Sequence, residues 1–141
     1  MKILLAADDS ENTQRAARHL ARHVGWLASV PKVFVLHVHP HIPFPGAAAR
    51  AGKAAIDDYL SESSAKALKR ATRELDKAKV EYKAAWITGD AASGIAEFAK
   101  KNKVDLIVMG SRGEGALFNL VLGSVATKVL AAVKTPVLVV R

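Results

Sequence analysis

The chain has 141 residues, 50% hydrophobic and 24% charged. That is enough for one domain over residues 1–141 with a real core, and it excludes an intrinsically disordered chain. The absence of cysteine excludes a disulfide framework and thiol chemistry. A formal charge of +8 favours anionic partners, but the basic residues are spread over three predicted helices without interleaved aromatic residues. That is the pattern of solvated helix faces, and it does not point to nucleic acid.

The first apolar run, Ile3-Leu4-Leu5-Ala6-Ala7, reads as a strand from Lys2 to Ala7 and meets Asp8-Asp9 at once. It is too short for a signal peptide, and no stretch is long and apolar enough to cross a bilayer. A cytoplasmic protein with no membrane partner is the expectation. Ser10 is a good N-cap for a helix whose stripe is Ala16, Ala17, Leu20, Ala21, Val24, Leu27 and Ala28, and Pro31 marks the loop after it. Val33–Val38 is nearly all apolar, as expected of a strand covered on both faces. Pro40, Pro43 and Pro45 make His39 to Lys53 a loop, which could cover a site beside it. A long helix follows from Ala54 to Ala78, then a strand from Glu81 to Ile87 and a turn at Gly89-Asp90. A short helix carries Ile95, Ala96, Phe98 and Ala99, with Lys100 and Lys101 in its last turn, where the dipole favours cations. Val104–Val108 is the fourth strand. The last helix is expected to run to Val133 with Val121 and Leu122 at the start of its stripe, and Pro136 separates it from a final strand, Val137–Val140. Trp26, Trp86 and Phe118 are expected to anchor core or loops.

Strict alternation of strands and helices argues for an α/β protein with helices on both faces of a parallel sheet. Right-handed crossovers make a single doubly wound five-stranded sheet, order 3-2-1-4-5, the simplest topology, a Rossmann-like fold. In that order the winding reverses between the first and fourth strands. Ligands of open α/β sheets bind beyond the carboxyl ends of strands at such a point. The segments expected to meet there are Ala6 to Asp9, Val38-His39 and Met109-Gly110.

Between the fourth strand and the last helix lies the glycine stretch from Met109 to Val125. Gly110 and Gly113 are separated by two residues, Gly113 and Gly123 by nine, and Ser124 follows directly. Glycine permits sharp turns and close approach of a ligand. Ser124 offers a hydroxyl and an amide at a helix start, where N–H groups are unsatisfied and the dipole is positive. Those parts suit a phosphate.

Together these residues resemble the universal stress protein family in its ATP-binding branch. The family's motif stands complete as Gly110, Gly113, Gly123 and Ser124. Ala7-Asp8-Asp9-Ser10, His37-Val38, Gly89-Asp90 and Thr135 to Val140 fit its other landmarks, so the resemblance spans the chain. It implies ATP as the ligand, with a magnesium ion alongside. By position it implies Asp8 on the ribose side, and Ala6 and Val38 bordering the adenine. Met109, Gly110 and Gly113 would wrap the ribose and phosphates. Gly123, Ser124 and Val125 would hold the polyphosphate through amides and a hydroxyl. Arg112, at a position the motif leaves open, would add positive charge. Asp9 departs from the pattern, since many relatives have glycine there, and sets a second carboxylate where it would repel phosphate. The resemblance further implies a stress-response role and a homodimer through Val137–Val140, an apolar strand at a sheet edge.

The chain has no G-x-x-x-x-G-K-S/T loop, so the usual phosphate lysine is missing; Lys128 lies one helical turn beyond Ser124. Hydrolysis needs an oriented water, neutralised charge and often a base. Asp8 is accounted for by the nucleoside, so binding with slow or no turnover is expected, with no catalytic residue. The alternative is a nucleotide-independent dimeric interaction module, in which Ser124 is a helix N-cap and Gly110 and Gly113 form a tight turn. A third reading is metal binding, since His19 and His23 are spaced i, i+4 and His37, His39 and His41 alternate. Pro40 interrupts that alternation, and exposed or helix-facing histidines are expected instead, with His37 packed at a strand end.

Overall fold

Five apolar runs become strands in a computed structural model that describes residues 1–41, 52–113 and 121–141. They are β1 (Lys2–Ala7), β2 (Lys32–His39), β3 (Tyr82–Thr88), β4 (Leu106–Gly110) and β5 (Val137–Val140). All pairings are parallel and the order is β3-β2-β1-β4-β5, as the alternation of elements predicts. The central strand β1 lies between β2, with Ala7 opposite His37, and β4, with Leu5 opposite Val108. Most of the loop from His39 to Lys53, and Phe118, lie outside the described residues.

Alternate residues of each strand serve opposite faces, which divides the core in two. Ile3, Leu5, Val33 and Val35 meet Ala16, Ala17 and Leu20 of α1 (Glu11–His23) and Leu68, Ala71 and Leu75 of α2 (Lys53–Lys77). Leu4, Phe34, Leu36 and Ile107 meet Ile95 and Ala99 of α3 (Ala91–Asn102) and Ala126 and Val129 of α4 (Ser124–Ala132). Both faces are covered, which is why Ile3–Ala7 of β1 and Val33–Leu36 of β2 are wholly apolar.

Several boundaries differ from expectation for identifiable reasons. The fourth strand is not Val104–Val108 but begins at Leu106 and runs through Met109 and Gly110, because these two pair with Val139 and Val140. Val104 instead closes α3, its N–H donating to Ala99 O at 2.9 Å. Helix α1 stops at His23, short of the expected stripe. The chain tightens into a 3-10 turn, Val24–Trp26, around Gly25, a poor helix residue. Helix α4 begins at Ser124, leaving Val121 and Leu122 before it.

Two expectations about tryptophan fail. Trp26 stands 80% exposed on the 3-10 turn, and Trp86 is 38% exposed because β3 is an edge strand. Neither is a core anchor.

Candidate functional site

The carboxyl ends of β1 and β4 open because their side chains are small. Ala6 and Ala7 end β1, and Gly110 ends β4. A cavity of about 320 Å³ lies there, at the point where the sheet reverses its winding. Ala6, Asp8 and Val38 line it from β1 and β2. Met109, Gly110, Arg112 and Gly113 line it from β4 and the turn after it, and Gly123, Ser124 and Val125 from the start of α4. Every residue that the resemblance assigns to the ligand thus lines one cavity, whereas Asp9 and His39, also expected at this point, do not. Thr13, Leu36, His37, Ala91, Ile95 and Ala126 also line it and were not singled out for it.

One wall is apolar. Ala6, Leu36, Val38, Ile95 and Met109 form a slot suited to a flat heterocycle. The other wall is polar. The N-cap of α4 is Gly123, whose N–H donates to Ser111 O at 2.7 Å and whose carbonyl accepts from Thr127 N at 3.0 Å. Ser124 is therefore the first helical residue and not a cap, as the interaction-module reading would have it. The opening amides of α4 lie at the cavity wall, at the positive end of the helix.

The glycines have a packing role that the sequence did not reveal. None of Gly110, Gly113 and Gly123 has positive φ, so none is there for a left-handed turn. Their missing Cβ atoms admit neighbouring protein. A Cβ on Gly110 would sit 2.7 Å from Asn12 Cβ and 2.8 Å from the Asn12 carbonyl carbon, so α1 packs directly on this glycine. A Cβ on Gly113 would lie 2.5 Å from Asp8 Oδ2, and one on Gly123 3.2 Å from Arg112 Cα.

Asp8 is fixed before any ligand arrives. Its Oδ1 accepts from Ser10 N at 3.1 Å, Ser10 Oγ at 2.5 Å and Thr13 Oγ1 at 2.6 Å. Thr13 Oγ1 also accepts from Asp8 N at 3.0 Å, and Ser10 Oγ caps α1 by accepting from Thr13 N at 3.2 Å. The Asp-x-Ser-x-x-Thr spacing was the signal that could have revealed Thr13.

Asp9 points the other way. Its carboxylate meets Arg70 Nε at 2.5 Å and Lys66 Nζ at 3.1 Å, both on α2. The hydrogen bond from Arg70, then Lys66, holds its carboxyl below the usual range despite some desolvation. The extra carboxylate is thus balanced by cations of a neighbouring helix and does not line the cavity. Lys128 acts on Asp90, the N-cap of α3. The Ser93 N–H and hydroxyl hold that carboxyl below its usual range, and the charge of Lys128 adds to this.

Three of the five histidines are held locally by backbone carbonyls. His37 Nδ1 lies 2.9 Å from Ala7 O, and as the protonated nitrogen it ties the end of β2 to β1. His39 Nδ1 contacts Pro40 O at 2.7 Å and His23 Nδ1 contacts His19 O at 2.7 Å. Among the described residues no three groups gather as a metal site would require.

Fold and site together define a Rossmann-like α/β protein with a half-apolar crevice at the switch point of its sheet. The chain belongs to the universal stress protein family, whose model matches residues 1–141. It is 34% identical to universal stress protein MJ0531 of Methanocaldococcus jannaschii, over 99% of this chain and 81% of that one. It is 36% identical to a universal stress protein of Thermus aquaticus, over 99% and 97%. The solved structure of hypothetical protein MJ0577 superposes with a TM-score of 0.83 at 27% identity, covering 99% and 94%. The same fold, at 22% identity, occurs in an Archaeoglobus fulgidus universal stress protein in complex with dAMP and in an Arabidopsis thaliana family member with AMP bound. Their TM-scores are 0.69 and 0.68, with coverage of 100% and 98% for the first and 99% and 90% for the second.

Proposed function

We propose that this protein binds an adenine nucleotide, ATP with magnesium, in the cavity between β1 and β4, and acts as a cytoplasmic stress-response regulator, working as a homodimer with slow or no hydrolysis. The observation that carries this reading is the convergence of an apolar slot, a fixed carboxylate and the opening amides of α4 on one cavity. The adenine would lie in the slot between Ala6 and Val38, and the ribose beside Asp8. The phosphates would rest on Gly113, Gly123, Ser124 and Val125, with Arg112 adding charge. The Ser124 hydroxyl is an oxygen donor of the kind magnesium accepts. Fold neighbours in complex with dAMP and AMP support the choice of an adenine nucleotide.

The test is thermal unfolding with and without magnesium-ATP. A ligand that binds only the native state at a hundredfold excess over Kd stabilises by about 2.7 kcal/mol, several degrees for a domain of this size. No shift at millimolar ATP, ADP or AMP would favour the nucleotide-independent dimeric module. Steady-state hydrolysis near the median enzyme rate, roughly 10 per second, would reject the slow-turnover reading.

A further inference from the structure

The four described α-helices run from the carboxyl edge of the sheet back to its amino edge, so the loops that follow them share one rim, opposite the cavity. That rim carries two of the most exposed large apolar side chains described, Val30 at 90% and Trp26 at 80%, with Met1 at 47%. Lys32 N donates to Met1 O at 2.9 Å, which places the start of β1 beside the end of the Trp26–Val30 loop. The indole is braced edge-on by the His23 ring at 4.1 Å, and His23 is 4.2 Å from His19.

The rim is also basic. Arg22, Lys32, Lys79, Lys100, Lys101 and Lys103 are all exposed there, against Asp76, Glu81 and Asp105. Asp105 already accepts from Lys2 N at 2.6 Å, and Asp76 from Tyr82 Oη at 2.9 Å. The negative ends of the helix dipoles account for Arg22, Lys100 and Lys101, each in a last turn. Lys103, the C-cap of α3, and Lys79, directly after the C-cap of α2, sit at the same negative ends, and Lys32 Nζ lies 5.4 Å from the centre of the Phe34 ring. Helix dipoles do not account for exposed tryptophan and valine among these cations.

We propose that this rim docks the protein on an anionic membrane surface, with Trp26 and Val30 entering the headgroup layer and the basic side chains lying over acidic lipids. Tryptophan settles at the boundary between water and hydrocarbon, and basic residues near a surface of acidic lipid are attracted to it. The apolar tips project from loops as separate points, which suits a fluid interface better than a protein partner needing a continuous patch. Tyr82, at the start of β3, is half-buried with its hydroxyl held by Asp76, so it does not pair with Trp26 as an exposed platform on which successive bases would stack. Attachment in the interface needs no spanning helix, and none of the described helices is long and apolar enough to span. The cavity at the opposite rim stays open to solvent in this orientation.

The test uses the full chain with Trp86→Phe, which leaves Trp26 as the one tryptophan reporter. It is mixed with phosphatidylcholine vesicles with or without about 30% phosphatidylserine, at about 0.1 M salt. The expected result is co-sedimentation with the acidic vesicles only, a blue shift of Trp26 emission, and release as salt is raised. Trp26→Ala, and separately the pair Lys100→Glu and Lys101→Glu, should each lower the bound fraction about fivefold or more. The charge pair keeps the test decisive if the tryptophan change disturbs the turn. Absence of binding, equal binding to neutral vesicles, unshifted emission, or undiminished binding by both variants would overturn the proposal. So would a single-stranded oligonucleotide that shifts Trp26 emission and strips the protein from the vesicles, which would assign the rim to nucleic acid.

Discussion

At the scale of single residues, the glycine motif serves the protein and the proposed ligand at once, and the two demands can be separated. Gly110 faces the backbone of Asn12, which cannot yield without moving the first turn of α1. Gly110→Ala should therefore cost about 1–3 kcal/mol of stability, read as a lower urea midpoint with unchanged slope. Gly113 faces a side-chain tip, Asp8 Oδ2. A methyl group there turns the carboxylate and strains the bonds to Ser10 and Thr13, so Gly113→Ala should lose nucleotide affinity at a smaller cost in stability. Equal loss of stability in the two variants would contradict the division. The spacing of these glycines was legible in the sequence, but their packing role was not. The atoms that fill the absent Cβ positions come from Asn12 and Asp8, about a hundred residues earlier, and no local pattern records that approach.

At the scale of elements, α1 and α2 are joined over the first core face by a polar tie. Glu74 on α2 is only 6% exposed, yet it accepts from Gln14 Nε2 at 2.8 Å, Arg18 Nε at 3.1 Å and Lys77 Nζ at 3.2 Å. The Arg18 hydrogen bond, then that of Gln14, outweighs burial and lowers the Glu74 pKa from 4.5 to about 2. A depressed carboxylate stabilises the fold above its unfolded pKa and loses that contribution as pH falls through the folded one. Stability should therefore decline from about pH 4.5 towards pH 2 through this group, with Asp9 adding in the same direction. Glu74→Gln should cost about 2 kcal/mol at neutral pH and flatten that decline, as acid titration of the unfolding free energy would show. A variant that keeps the wild-type acid slope would remove Glu74 as its source. This tie could not be read from sequence, where Glu74 looks like one more charge on a solvated helix. Element order was legible, because alternating apolar runs and amphipathic stripes leave few topologies. Boundaries were less so. Val108 reads as the last residue of the fourth strand, but pairing with Val139 and Val140 carries β4 on to Gly110. The stripe through Leu27 and Ala28 reads as helix, but Gly25 ends it and leaves Trp26 in solvent.

At the scale of the molecule, the sheet has two unequal edges. On β3 the exposed side chains include Lys83, a charge that discourages edge pairing. On β5 all four residues are aliphatic, Leu138 is 38% exposed, and β4 pairs with only one side of the strand. A two-fold axis beside β5 would set it antiparallel to its copy, continuing the sheet with the same residues on both sides. The homodimer belongs to the function proposed above, and this edge makes it testable apart from nucleotide. Sedimentation equilibrium should give a mass about twice the 15.0 kDa of the chain. Leu138→Lys should return it to the monomer mass, because two lysines would then face each other across a paired edge. The cavity lies at the carboxyl ends of β1 and β4, and its lining includes no residue of β5. The monomeric variant should therefore still show the thermal shift with magnesium-ATP. A dimer that survives Leu138→Lys would place the interface elsewhere, and loss of the nucleotide shift in the monomer would mean that the second copy helps to complete the site.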